Sequence, residues 1–69
     1  METLYDVQQL LKQFGIIIYL GQRKYDIEMM TVELKNLYHS HLISDEDYKQ
    51  ASLILKREHR LEEERENNQ

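Results

Sequence analysis

The chain has 69 residues, with 13 Asp or Glu against 9 Lys or Arg, and it contains no cysteine, proline or tryptophan. Disulfides and thiolate metal sites are therefore excluded, and the length limits the chain to one domain near the size at which a single core barely sustains folding. The formal net charge of −4 argues against a broad basic footprint, although it is unevenly spread.

Residues 1–57 hold eight acidic side chains and seven Lys or Arg, a net −1, whereas residues 58–69 hold five and two, a net −3. The acidic N-terminus has no basic region of the kind that opens a signal peptide. The longest strongly apolar run, Ile16–Leu20, is five residues, far short of the ~20 that span a bilayer. A cytoplasmic protein without membrane attachment is the expectation. With no proline and two glycines, long helices are favoured over a turn-rich β fold.

Thr3 with Asp6 three residues later predicts a capped helix start. Leu4, Val7, Leu10, Leu11 and Phe14 then recur at spacings of three and four, the period of one buried helical face. Gly15 supplies a residue suited to closing that helix, so helix 1 is expected over about residues 4–14. Ile16–Leu20 has strand-like composition but no partner strand elsewhere in the chain. It is expected to be an extended apolar crossover whose side chains plug the space between helices, with Tyr19 as the member that reaches the surface. Left uncovered, such a run is an aggregation hazard.

After Gly21-Gln22-Arg23, the residues Ile27, Met30, Leu34, Leu37 and His41 repeat at helical spacing, predicting helix 2 over roughly 24–40. Met29 and Val32 lie off that stripe. Ser44 followed by Asp45, Glu46 and Asp47 is the clearest N-cap in the chain. Tyr48, Ala51, Ile54, Leu55, Glu58 and Leu61 mark the face of helix 3, expected over 45–61. The result is an all-α fold, a compact three-helix bundle with an extended crossover between helices 1 and 2. Residues 1–61 form the domain and 62–69 a mobile acidic tail.

Chemistry-bearing patterns are sparse. His39 and His41 are two apart and diverge on a helix, where a shared metal needs a spacing of three or four. The acidic run 45–47 lacks the longer glycine-centred loop of a calcium site and reads as a helix first turn. No serine or threonine sits in a nucleophile elbow. The expectation is therefore a non-enzyme with no cofactor and no metal.

The more suggestive feature is five tyrosines interleaved with basic residues. Single-stranded nucleic-acid binders combine aromatic stacking with a basic groove, and a helix N-terminus favours phosphate. Lys12, Arg23, Lys24 and Lys35 are the candidate phosphate contacts, with Tyr19 and Tyr25 as stacking platforms, for single-stranded RNA or DNA. The alternative is a protein-interaction or homo-oligomerisation module built on exposed Met29, Val32 and Leu53.

The opening Tyr5-Asp6-Val7-Gln8-Gln9-Leu10-Leu11-Lys12, then Gly15, Ile18-Tyr19 and Gly21, then Arg23, Asp26-Ile27-Glu28 and Met30 resemble the YqgQ-like family. Glu33-Leu34, Leu37-Tyr38, Leu42-Ile43, Tyr48, Ala51 and Ile54-Leu55 continue the likeness, which covers nearly everything but the acidic tail. The resemblance implies a compact three-helix fold in a cytosolic protein of Gram-positive bacteria, and it brings no catalytic residues.

Overall fold

The computed structural model describes residues 1–67. It has three helices, α1 (Leu4–Lys12), α2 (Arg23–His39) and α3 (Asp45–Asn67), with no strand among the described residues. The predicted all-α architecture with an extended link between the first two helices is the one observed. No described helix is long and apolar enough to cross a membrane.

Helix α1 begins as its sequence dictates. The Thr3 hydroxyl accepts from the Asp6 N–H at 3.3 Å, and the Asp6 carboxylate accepts from the N–H groups of Thr3 at 3.0 Å and Glu2 at 2.9 Å. These backbone donors, Glu2 first, hold the Asp6 carboxyl below the usual carboxylate range. Leu4, Val7 and Leu11 are buried and Leu10 packs against them. Phe14, expected on this stripe, is exposed. The helix stops at Lys12, and the chain turns back before Phe14 can reach the core face. In that closure Ile16 N–H donates to Leu11 O at 3.1 Å and Gly15 N–H to Lys12 O at 2.9 Å. This pair of bonds wraps a left-handed residue, and Gly15 has φ +77°.

The crossover corrects the expectation of an interhelical plug. Ile16 and Ile18 pack against the core, but Ile17 is 76% exposed, Tyr19 86% exposed, and Leu20 exposed too. An extended chain sends successive side chains to opposite sides, so five consecutive residues cannot all face inward. The segment is fastened at its exit, where Leu20 N–H donates to Asp26 Oδ1 at 2.6 Å. The N-cap of α2, Gln22, makes no side-chain cap bond.

Ile27, Met30, Leu34 and Leu37 of α2 meet Ala51, Ile54 and Leu55 of α3, with α1 packed across both. At its C-terminus α2 closes through Leu42 N–H to Leu37 O and His41 N–H to Tyr38 O, both 3.0 Å, around His41 at φ 60°. His41 therefore occupies the turn and not the apolar stripe where its spacing had placed it. Ser44 caps α3, accepting from Asp47 N–H at 3.0 Å. Beside this turn the rings of Tyr38 and Tyr48 stack 4.1 Å apart and within 5° of parallel. The adjacent Asp45 carboxylate raises the Tyr38 hydroxyl above its ordinary value.

Helix 3, expected to end near residue 61, continues to Asn67. Of the segment expected to be a mobile tail, Glu62 is only 8% exposed, and Asn68 and Gln69 lie outside the described residues. The added turns run antiparallel beside the start of α2, where they find cationic partners.

Backbone handedness gives a test in two directions. No atom lies within 4 Å of a Cβ built on Gly15 or Gly21, so Gly15→Ala and Gly21→Ala should each cost about 1–2 kcal/mol from conformation alone. His41→Gly removes the same penalty but adds unfolded-chain entropy, leaving a gain of roughly 0.5 kcal/mol. Urea midpoints with unchanged slopes measure all three.

Candidate nucleic-acid interface

The six residues singled out from the sequence do not form one surface. Arg23 and Lys24, at the start of α2, face the far end of α3. Arg23 Nη2 lies 2.7 Å from Glu58 Oε1, and Arg23 Nε lies 2.9 Å from Glu62 Oε1. Lys24 Nζ lies 3.1 Å from Glu66 Oε2. Both cations are thus matched by carboxylates of the same chain. The Arg23 guanidinium holds the Glu58 carboxyl below the usual glutamate range, and the Glu66 carboxylate holds the Lys24 ammonium above its ordinary value.

Around Glu62 the charges alternate. Arg65 Nη1 lies 3.5 Å from its other oxygen, and Arg57 Nε lies 3.4 Å from Glu58 Oε2. Arg57 also donates to the backbone oxygen of Glu2 at 3.0 Å, tying α3 to the N-terminal segment. Glu62 Oε1 is fully enclosed and makes no hydrogen bond. Its 2.9 Å approach to Arg23 Nε is an ion pair whose angles miss hydrogen-bond alignment. Charge, not a directed bond, compensates this oxygen.

Tyr19 and Tyr25 are both exposed. Tyr25 continues at helical spacing into exposed Met29 and Val32, which places it on the outward face of α2. Lys12 lies at the end of α1 beside the crossover, lining a small hollow with Ile16, Ile17 and Ile18.

Lys35 belongs elsewhere. It lines an open groove of about 860 Å³ between α2 and α3, together with Lys49, Leu53 and Lys56. None of its lining residues comes from α1 or the crossover. Among the described residues Lys35, Lys49 and Lys56 have no carboxylate within ion-pair distance. Three carboxylates lie toward the other end of the groove, two of them sharing one histidine. His59 is held between Glu28 at 2.7 Å and Glu63 at 2.8 Å, and Glu64 lies 3.7 Å from Arg60. Four Lys or Arg side chains line the groove (Lys35, Lys49, Lys56 and Arg60) against three carboxylates (Glu28, Glu63 and Glu64), a formal excess of one positive charge.

The sequence pattern had carried this stripe. Lys49, Leu53, Lys56 and Arg60 recur at spacings of four, three and four, one face of a helix.

This fold defines a small all-α protein, and the chain belongs to the YqgQ-like family, which it matches over residues 1–61. A relative, the uncharacterized protein YqgQ of Bacillus subtilis (strain 168), is 52% identical over 58 residues, covering 84% of this chain and 82% of the relative.

The Arg23 cluster predicts its own mutational signature. Arg23→Ala leaves Glu58 and Glu62, two mostly buried carboxylates one turn apart on α3, without their shared cation and should cost about 1–3 kcal/mol. Glu62→Leu removes the enclosed charge with its desolvation and should be near neutral by comparison. For pH, the folded-state Glu58 lies below the ordinary value of 4.5. Its contribution is complete above that value and is lost as pH falls through the depressed range. Acid unfolding of Arg23→Ala followed by circular dichroism should show a shallower loss over that window.

Proposed function

We propose that the protein is a small non-enzymatic binding module whose α2–α3 groove takes single-stranded nucleic acid. The observation that carries this reading is the set of lysines, Lys35, Lys49 and Lys56, lining one groove with no carboxylate partners among the described residues. Lys49 and Lys56 are seven residues apart on α3, about 10 Å along one face, with Lys35 opposite them on α2. Tyr48 supplies an aromatic edge to the groove, braced by its stack on Tyr38. Backbone phosphates would lie along the lysines, and bases would meet Tyr48 and Leu53. Arg23 and Lys24, already matched by Glu58, Glu62 and Glu66, are poor phosphate contacts in this arrangement.

A specific observation favours a second reading, a protein-interaction module. Tyr25, Met29 and Val32 form an exposed stripe on α2, and Leu53 is exposed on α3. An amphipathic helix from another protein could bury such residues.

Salt separates the two. Fluorescence anisotropy with labelled oligonucleotides should give binding that weakens steeply with ionic strength. Replacing Lys35, Lys49 and Lys56 together by alanine should reduce the slope of log K against log salt by about 2. Lys24→Ala should leave that slope unchanged. No salt-sensitive binding at low ionic strength would end the nucleic-acid reading, whereas a salt-tolerant partner recovered by pull-down and lost on Met29→Glu would support the second.

A further inference from the structure

The crossover holds an unused strand edge. In an extended segment the N–H groups of residues i and i+2 point to one edge and those of i+1 and i+3 to the other. Here the Ile16 N–H is bonded to Leu11 O at 3.1 Å, and the Leu20 N–H to Asp26 Oδ1 at 2.6 Å. Both belong to one edge, which the protein itself takes up at its two ends, with only the Ile18 groups between them left open among the described residues. The backbone groups of Ile17 and Tyr19 belong to the opposite edge and have no hydrogen-bond partner among the described residues. The side chains of the same two residues are the most exposed large apolar groups of the molecule, at 76% and 86%.

The segment is also held ready. Gly15 and Gly21, at φ +77° and +91°, set the turns at its two ends. Between Gln13 and Gln22 there is no charged residue and no proline, so the features that natural proteins use to blunt an open edge are missing.

We infer that this edge pairs with the same edge of a second copy of the chain, as an antiparallel two-stranded ribbon centred on Ile18. The occupant is a second copy because the same segment, uncharged, proline-free and apolar, matches this edge in chemistry and can pair with it in a two-fold register. A two-fold axis at Ile18 sets Ile17 opposite the second copy's Tyr19 and Tyr19 opposite its Ile17. Those two reciprocal pairs are the hydrogen-bonded pairs, each exchanging both N–H to O=C bonds, so the open groups of Ile17 and Tyr19 are used. Ile18 faces its own copy as the non-bonded pair between them. Each reciprocal pair sets an aromatic ring against a β-branched side chain, a favourable cross-strand combination. The ribbon is isologous and closes on itself, so it uses the open edge without propagating into a filament. The groove lysines of the binding surface lie outside it.

The test is sedimentation velocity over a concentration series, on the full chain and on two double variants at exposed positions. Ile17→Lys/Tyr19→Lys sets like charges across both pairs and should weaken dimerisation by about tenfold or more. Ile17→Glu/Tyr19→Lys sets opposite charges across the same pairs and should restore it to within a few-fold. Amide hydrogen exchange provides a second readout. The Ile17 and Tyr19 amides should gain protection with rising concentration, and the Ile18 amide should not. Circular dichroism checks that each variant keeps its helices. A strict monomer at all concentrations would overturn the inference, as would a dimer that both variants leave unchanged.

Discussion

The pairing of Arg23 with Glu58 and Glu62 is the interaction on which the rest of the arrangement turns. It joins residues 35 positions apart, and through Arg57 the same cluster reaches the backbone of Glu2. Apolar contacts bring α2 and α3 together, yet they are indifferent to how far α3 continues. The carboxylates of the last turns gain a reason to stay helical because the start of α2 offers them cations. An exposed ion pair alone would do little, since its attraction is offset by side-chain ordering and screening. Here Glu62 is enclosed, and an enclosed charge without its partner is costly. The cluster therefore acts mainly by making the frayed alternative unfavourable.

Much of the fold was legible from local pattern. The capping pair Thr3 and Asp6, the Ser44 cap and the apolar stripes of all three helices depend on residues within a turn or two of one another. The structure departs from that pattern where distant residues decide. The run of acidic residues after Leu61 reads as solvated on its own terms, and only Arg23 and Lys24, about forty positions earlier, convert it into a helical seam. Phe14 and His41 keep the right spacing but fall just past the helix ends. Periodicity does not see the turn geometry that displaces them.

The candidate surface was less legible for the same reason. Arg23-Lys24-Tyr25 is an attractive local constellation, but whether a cation is available depends on what faces it, and that is set by α3. Lys49 and Lys56 share a helical stripe that their spacing shows, but Lys35 comes from α2, and only the antiparallel hairpin brings it beside them. The crossover stands between these cases. Its extended form and its flanking glycines could be read directly, while alternation decided which of its residues would be covered. Two of its five residues, Ile16 and Ile18, serve the core and three face outward.

The seam at the start of α2 also governs how this protein reads ionic strength. Where Arg23 and Lys24 rest against Glu58, Glu62 and Glu66, the chain supplies its own counterions, and few are held from solution. A polyanion arriving there would have to displace covalently attached carboxylates and would release little bound salt in return. The groove lysines have no such internal neutralisation. The molecule thus has one cationic end that is electrostatically closed and one cationic stripe that is open, although its overall charge is negative.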